Sequence, residues 1–429
     1  MVNTENRQVV YSYHPDVPRL VASNMKLLTT WVALQILHPD FRWHTKLFYT
    51  GQIVDHVLHG DVYIQGGGDP TFDEQALYEL VSSLKYMSVD EVEGNVIIDQ
   101  HIFNSKPTYS MLEVEKYDSD TILPSGFMVN GDAAEFTLYI KPHNVMITHN
   151  LYGYTVNNQL KIDDQQATCS NVYKNVQVNL HGDNVLFTGN ISAKCDGKVL
   201  AYSMLNHEAY STIALTNMFH TLNIKLDGGY DYVNGKNTIP LSATLAIDHS
   251  SNSLAQIIYT MNHDSVNLIA ESLLLSLGAY TSTNIDTYQQ SKAIMNNYIK
   301  KMQWDNDKFK LENGAGLSRS EYLTANALGQ LLWRAGESPL QAVFQASLPM
   351  GGEEGTLHNK FIDFGDRVQL KTGTLKDTKS FAGYFYAKNG VKYIVVMTVN
   401  LLNYKNGSDE SDRFNSYTYQ LLSALDQRQ

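Results

Sequence analysis

Cysteine is nearly missing from this chain: Cys169 and Cys195 are the only two, and neither lies in a Cys-x-x-Cys pair. That spacing excludes a zinc knuckle or a thioredoxin-type redox motif, and leaves either one disulfide or two buried thiols. No apolar run approaches the ~20 residues that span a bilayer, so no integral membrane segment is expected. Met1 to Gln8 is polar and lacks the basic-then-apolar order of an export signal. Read alone, that fits a cytoplasmic protein or a chain whose signal has been removed. Positive charge is also short: 32 Lys and Arg stand against 44 Asp and Glu, a formal net charge of −12. A nucleic-acid binder needs a basic face, so no nucleic-acid partner is expected. Despite 14 histidines there is no His-Glu-x-x-His zinc motif. The Gly-x-Ser-x-Gly elbow of a Ser-His-Asp hydrolase is missing too.

What is present is an ordinary globular composition, 43% hydrophobic over 429 residues, long enough for two or three domains. Val9 to Tyr13 reads as a strand, and a helix opens near Ser23 and stops before Pro39. Gly66-Gly67-Gly68-Asp69-Pro70 follows a strand, but no Gly-Lys-Ser/Thr completes a phosphate loop, so it reads as a sharp turn. Gln75 to Tyr86 is helical. From Phe136 to Ile239 short alternating runs are divided by turn signals such as Asn157-Asn158 and His181-Gly182-Asp183, a β-rich module. Helices return after Pro240, at Leu254 to Asn262, Val266 to Leu277, Asp286 to Met302 and Ala325 to Ala335. Two strands, Phe381 to Tyr386 and Lys392 to Val399, precede a last helix from about Asp412 to Leu425.

Three short motifs carry chemistry. Ser23 and Lys26 are three residues apart on a helix and share a face, so a neutral amine there can take the hydroxyl proton. Ser265-Val266-Asn267 opens another helix, and Lys371-Thr372-Gly373-Thr374, which could by itself be an ordinary turn, precedes the strand at Phe381. Each has an ordinary counterpart. Ser82 and Lys85 repeat the first spacing, Ser250 to Asn252 repeats the second, and a serine before a helix is a common N-cap. Order separates them: the three together, in this sequence, form the Ser-x-x-Lys, Ser-x-Asn, Lys-Thr-Gly set of penicillin-recognising enzymes.

Further stretches agree: Gly66 to Thr71, Asn313-Gly314-Ala315-Gly316-Leu317-Ser318-Arg319, Leu348-Pro349 through Gly355-Thr356-Leu357, and Phe381-Ala382-Gly383-Tyr384. On these residues the chain resembles the D-alanyl-D-alanine carboxypeptidase/endopeptidase family, the class C low-molecular-mass penicillin-binding proteins. The resemblance spans nearly the whole chain. It implies an α/β (α+β) fold: a penicillin-binding-protein/β-lactamase-like transpeptidase domain, with an antiparallel sheet flanked by helices. That domain would comprise 1–48 and 243–429, split by a β-rich insertion at 49–242 of one or two small domains. The long interval from Ser23 to Ser265 fits such an insertion.

The resemblance also implies a reaction. Ser23 attacks the carbonyl of the penultimate D-alanine and forms an acyl-enzyme, which water releases. Lys26 is its base and must be neutral near pH 7, below the usual ~10.4 for lysine. Burial and the positive charge of Lys371 would hold it there. Ser265 relays the proton to the leaving amine, and Asn267 holds the substrate amide and Lys26. Lys371, Thr372 and Thr374, with Gly373 between them, take the terminal carboxylate. The N–H groups of Ser23 and Thr374 form the oxyanion hole. Asn130 stands where relatives are expected to carry an acidic residue for the free amine of the stem peptide, with Asp132 as a replacement. The implied partners are peptidoglycan stem peptides and β-lactam antibiotics, with no metal or organic cofactor. The implied compartment is periplasmic or otherwise extracytoplasmic, and a homodimer stays open. The alternatives are a β-lactamase or esterase on the same site, or a non-catalytic wall-binding protein.

Overall fold

Residues 25–34 are buried without a break, which marks the helix they form, α1 (Met25–Ile36), as the centre of a core. Its polar side chains are matched there: Thr29 donates to the Gly314 carbonyl at 2.8 Å, and Thr30 accepts from Asn262 at 3.1 Å. The computed structural model describes residues 1–106, 122–141, 144–163, 165, 168–169, 172–236, 238–281, 286–353, 355–401 and 407–428. These fall into two units.

The first unit holds Met1–Trp43, the described residues that start at Ile102, and the chain from Ser250 onward. Around α1 pack α2 (Leu254–Asp264), α3 (Asn267–Ala279), α4 (Thr287–Lys301) and α5 (Ala325–Gly336). The unit's sheet combines β1 (Val2–Asn3), β2 (Val368–Leu375), β3 (Thr378–Tyr386) and β4 (Lys392–Asn400) in the order β1–β4–β3–β2, every pair antiparallel. Because side chains alternate along a strand, β3 serves two cores. Ala382 and Tyr384 join the α1 core, while Phe381 and Phe385 join a second core with Leu422 and Leu425 of α6 (Gly407–Asp426). On β2 the register pairs Lys371 with Ala382 and Thr372 with Phe381. Lys371 therefore faces the α1 side, and Thr372 and Thr374 the other. β2 is one edge of the sheet and β1 the other.

The second unit holds His44–His101 and the described residues from Ile122 to His249. It is built on a five-stranded sheet, two three-stranded sheets and a small four-stranded one. Helices Glu74–Tyr86 and His207–Thr221 pack into its own core. Cys169 and Cys195 form a disulfide, which settles the alternative left open by spacing.

Several local expectations differ from what is found. Val9 to Tyr13 is no strand: only Val9 bridges, to Val2, and the edge strand of the sheet is Val2–Asn3. Asn157 and Asn158 lie inside the strand Thr155–Ile162, which takes its hydrogen bonds from a parallel neighbour. The β-rich module contains the helix His207–Thr221, N-capped by Asn206, whose side chain accepts from Ala209 N. Lys371 to Thr374, expected to precede a strand, lies within one itself, the body of β2.

Because α1 is enclosed on all sides, Leu28→Ala leaves a cavity that surface helices can only partly fill. The expected loss is ~2–5 kcal/mol by urea denaturation, against less than ~0.5 kcal/mol for Tyr86→Ala on the surface. Equal effects of the two would contradict the central placement of α1.

Candidate active site

A tight turn, Ala22–Asn24, feeds α1 and presents Ser23. Ala22 is buried with φ at +49°, in the left-handed region that costs a non-glycine residue energy. Its surroundings fix it there. Ser380 donates to the Val21 carbonyl at 2.7 Å. Gly316, at φ +87°, passes so close that any side chain on it would collide with the Ala22 carbonyl. Gly373 of β2 does the same from the sheet, where a Cβ would meet Ser380 and the Val21 carbonyl. Glycine is required at both positions because backbone meets backbone.

One turn on, Lys26 is fully buried. Its Nζ donates to Ser23 Oγ at 3.0 Å, Asn267 Oδ1 at 2.7 Å and the Ala315 carbonyl at 2.9 Å. Asn267 is the first residue of α3. Ser265 lies at the junction of α2 and α3 with φ at +63°, not as an N-cap, so its hydroxyl is turned away from the helix. It accepts from Lys371 Nζ at 2.9 Å. Lys371, also fully buried, donates further to the Thr372 carbonyl at 2.9 Å. Thr372 is 7% exposed, and the exposed Thr374 accepts weakly from Lys379 at 3.4 Å.

Burial pushes the Lys371 amine well below the ordinary lysine range, and the charges of Lys26 and Lys360 push the same way, against a smaller pull from Asp264. Two ammonium groups in one dry site repel, so a proton on either amine disfavours a proton on the other. That arrangement suits proton transfer from a serine hydroxyl.

Ser23, Lys26, Ser265, Asn267, Lys371, Thr372 and Gly373 are thus brought into one unit, with Thr374 at the exposed end of the same strand. The repeated spacing at Ser82 and Lys85 has no such setting: Lys85 is taken by Asp90 and the Asn223 carbonyl. Asn130 and Asp132 belong to the second unit. The Asn130 side chain accepts from Glu74 N at 3.2 Å, and buried Asp132 holds His207 at 2.6 Å. Sequence reasoning did not single out the Ala315 carbonyl or Glu321 behind it; a backbone acceptor leaves no residue-type signature. Among the described residues, no group of three or more His, Cys, Asp or Glu side chains is placed to hold a metal ion.

An antiparallel sheet between helical layers, with serine and lysine one turn apart at the head of a buried helix, defines the serine-hydrolase class of penicillin-recognising enzymes. Residues 1–421 match the D-Ala-D-Ala carboxypeptidase 3 (S13) family, and the chain belongs to it. It is a serine peptidase. Among relatives, it is 22% identical over 425 residues to the D-alanyl-D-alanine carboxypeptidase DacB of Haemophilus influenzae, covering 95% of this chain and 86% of that one. The D-alanyl-D-alanine carboxypeptidase of an Actinomadura species is 24% identical over 412 residues, 91% of this chain and 75% of that one. The crystal structure of penicillin binding protein 4 from H. influenzae superposes with a TM-score of 0.79 at 21% identity, covering 98% and 95% of the two chains. A penicillin G-acylated predatory endopeptidase of Bdellovibrio bacteriovorus shares the fold at a TM-score of 0.58 and 17% identity, covering 99% and 91%.

The buried Lys371 amine makes stability depend on pH. Below its lowered native value the penalty is present in full. As pH rises toward the ~10.4 of an unfolded lysine, the unfolded state binds more protons and the native state gains. Melting temperature is therefore expected to rise between about pH 7 and about pH 9.5 in the parent and to rise less in Lys371→Met. Parallel curves for the two would show that Lys371 is not strained by burial.

Proposed function

We propose that the chain hydrolyses the D-Ala-D-Ala bond of peptidoglycan stem peptides, or the equivalent cross-link, through an acyl-enzyme on Ser23. The observation that carries this reading is the buried Lys26 amine, 3.0 Å from Ser23 Oγ and held by Asn267 and Ala315.

In this reading Lys26, in its neutral form, takes the Ser23 proton as Oγ attacks the carbonyl of the penultimate residue. The N–H groups of Ser23 and Thr374 receive the oxyanion, an element worth ~3–4 kcal/mol per donor elsewhere. The tetrahedral species collapses as its C–N bond breaks, and the proton passes from Lys26 through Ser265 to the leaving amine. Water then attacks the ester and returns the serine hydroxyl. The leaving residue's carboxylate would lie along the edge of β2, where Lys371 reaches it from one face of the strand and Thr372 and Thr374 from the other. Its arrival favours the ammonium form of Lys371, and the repulsion within the pair then keeps Lys26 unprotonated. Substrate binding itself readies the base.

For Asn130 and Asp132 this reading keeps the expected contact with the free amine of the stem peptide; in the protein alone their side chains bond Glu74 N and His207. The substrate would place the enzyme outside the cytoplasmic membrane, in a periplasmic or similar space. The Cys169–Cys195 disulfide supports that, since disulfides persist in oxidising compartments. Among the described residues, no helix is long and apolar enough to cross a membrane.

Labelled penicillin is expected to acylate the parent for hours, and Ser23→Ala is expected to remove the label while leaving the melt unchanged. Lys26→Ala should slow acylation by at least ~10²-fold. Label that persists without Ser23 would sink the assignment, and rapid turnover of the adduct would favour a β-lactamase. Mass spectrometry of muropeptides then reports the reaction: loss of one terminal alanine for carboxypeptidase action, separation of dimers for endopeptidase action.

A further inference from the structure

Glu321 is a fully buried carboxylate wrapped by backbone. Its Oε1 accepts from the N–H groups of Glu312, Asn313 and Gly314 at 2.8, 2.8 and 2.9 Å, and its Oε2 accepts from Gly316 N at 3.1 Å. Asn313 Oδ1 closes the same loop by accepting from Ala315 and Gly316 at 2.9 and 3.1 Å. The loop therefore has one shape. What it presents is the Ala315 carbonyl, 2.9 Å from Lys26 Nζ.

The carbonyl of Ala315 and the N–H of Gly316 belong to one peptide group. One end of that planar, conjugated unit meets the Lys26 amine and the other meets the Glu321 carboxylate. A negative acceptor on the N–H end pulls electron density toward the carbonyl oxygen, because hydrogen bonds in a chain polarise one another, more so at low dielectric. We propose that Glu321 is a positioning residue that serves as a remote counter-charge to Lys26, acting through the Ala315–Gly316 peptide. The inference rests on Lys26 acting as the base.

Glu321 exchanges no proton in this scheme. When the Ser23 O–H bond breaks and Lys26 Nζ gains the proton, positive charge appears at Nζ, and the polarised Ala315 carbonyl stabilises it. A protonated Glu321 would point its O–H at backbone donors, since both oxygens already accept N–H groups. Burial raises its proton affinity above that of an ordinary carboxyl, and the four N–H bonds reduce that rise without cancelling it. The charged groups around it are defined. Within its own segment, Glu312 accepts from Ser318 and pairs with Lys310 at 3.0 Å, and Arg319 is bound to Asp377. From α3 and α4 come Glu271 and Tyr288; burial and the charges of Glu312, Glu321 and Glu271 push the Tyr288 hydroxyl up to about 12. Beyond the loop, Lys26 interacts with Lys371.

The test is the pH profile of penicillin acylation, measured by stopped assay on the full chain for the parent, Glu321→Gln and Glu321→Asp. Glutamine keeps the size and one acceptor but removes the charge. Its acidic limb is expected about one pH unit lower, with a plateau roughly tenfold lower, as loss of a nearby opposite charge weakens the base. Aspartate keeps the charge but withdraws from Gly316, so its limb should fall between the other two. A lower plateau with an unmoved limb would mean that Glu321 only braces the loop, and would overturn the proposal; so would an unchanged profile. If Glu321→Gln does not fold by circular dichroism, Glu321→Asp decides, and an unmoved limb there overturns it. Failure of the underlying reading looks different: label would then persist in Ser23→Ala, whatever happens at residue 321.

Discussion

Two lysine side chains are buried in one site, and most of the first unit is arranged around that constraint. Taking one unpaired charge out of water costs several kcal/mol even after relaxation, and a second like charge nearby adds repulsion. Lys26 and Lys371 are both fully enclosed. The structure gives each amine fixed acceptors: Ser23, Asn267 and the Ala315 carbonyl for one, Ser265 and the Thr372 carbonyl for the other. None of these is an acid. Burial and the charges of Lys26 and Lys360 lower the proton affinity of Lys371, against a smaller pull from Asp264.

Holding such a site requires rigid supports from several directions. α1 supplies Lys26 from a helix buried all round, so the amine cannot swing to solvent. β2 supplies Lys371 from a strand paired along its length with β3. The α2–α3 junction supplies Ser265 and Asn267 two residues apart, with Ser265 in the left-handed region. The strained Ala22 is gripped between Gly316 and Gly373, so the nucleophile's position is over-determined by backbone packing. Glu321 extends the same logic outward: its carboxylate fixes the loop and faces Lys26 across one peptide group.

Much of this was legible in the sequence. Ser23, Lys26, Ser265, Asn267 and Lys371 are identifiable by residue type, spacing and order, and hydrophobic pattern located the helices that carry them. Other features left no such trace. Lys371-Thr372-Gly373 gives no sign that it forms a strand itself, and the reason for its glycine, the close pass of β2 against Val21 and Ala22, shows only in the fold. The helix His207–Thr221 carries Ser, Thr, His and Tyr throughout, and its buried residues, Tyr210, Ser211, Leu215, Met218 and Phe219, give only a faint stripe. The strand through Asn157 and Asn158 depends on a partner strand far along the chain. Backbone acceptors such as the Ala315 carbonyl are invisible to motif reading, and Glu321 gains meaning only once the loop is seen to wrap it.

Repulsion across one dry site is expected to keep the two buried amines from both being charged at neutral pH. Lysine side chains labelled with 15N at Nζ and followed by NMR through a pH titration test it directly, with Lys26→Met and Lys371→Met giving the assignments. The expected result is a resonance from the pair that titrates well below the ~10.4 typical of exposed lysines, and a shift in the surviving amine when its neighbour is removed. Two amines that both titrate at the ordinary value, each indifferent to loss of the other, would contradict it.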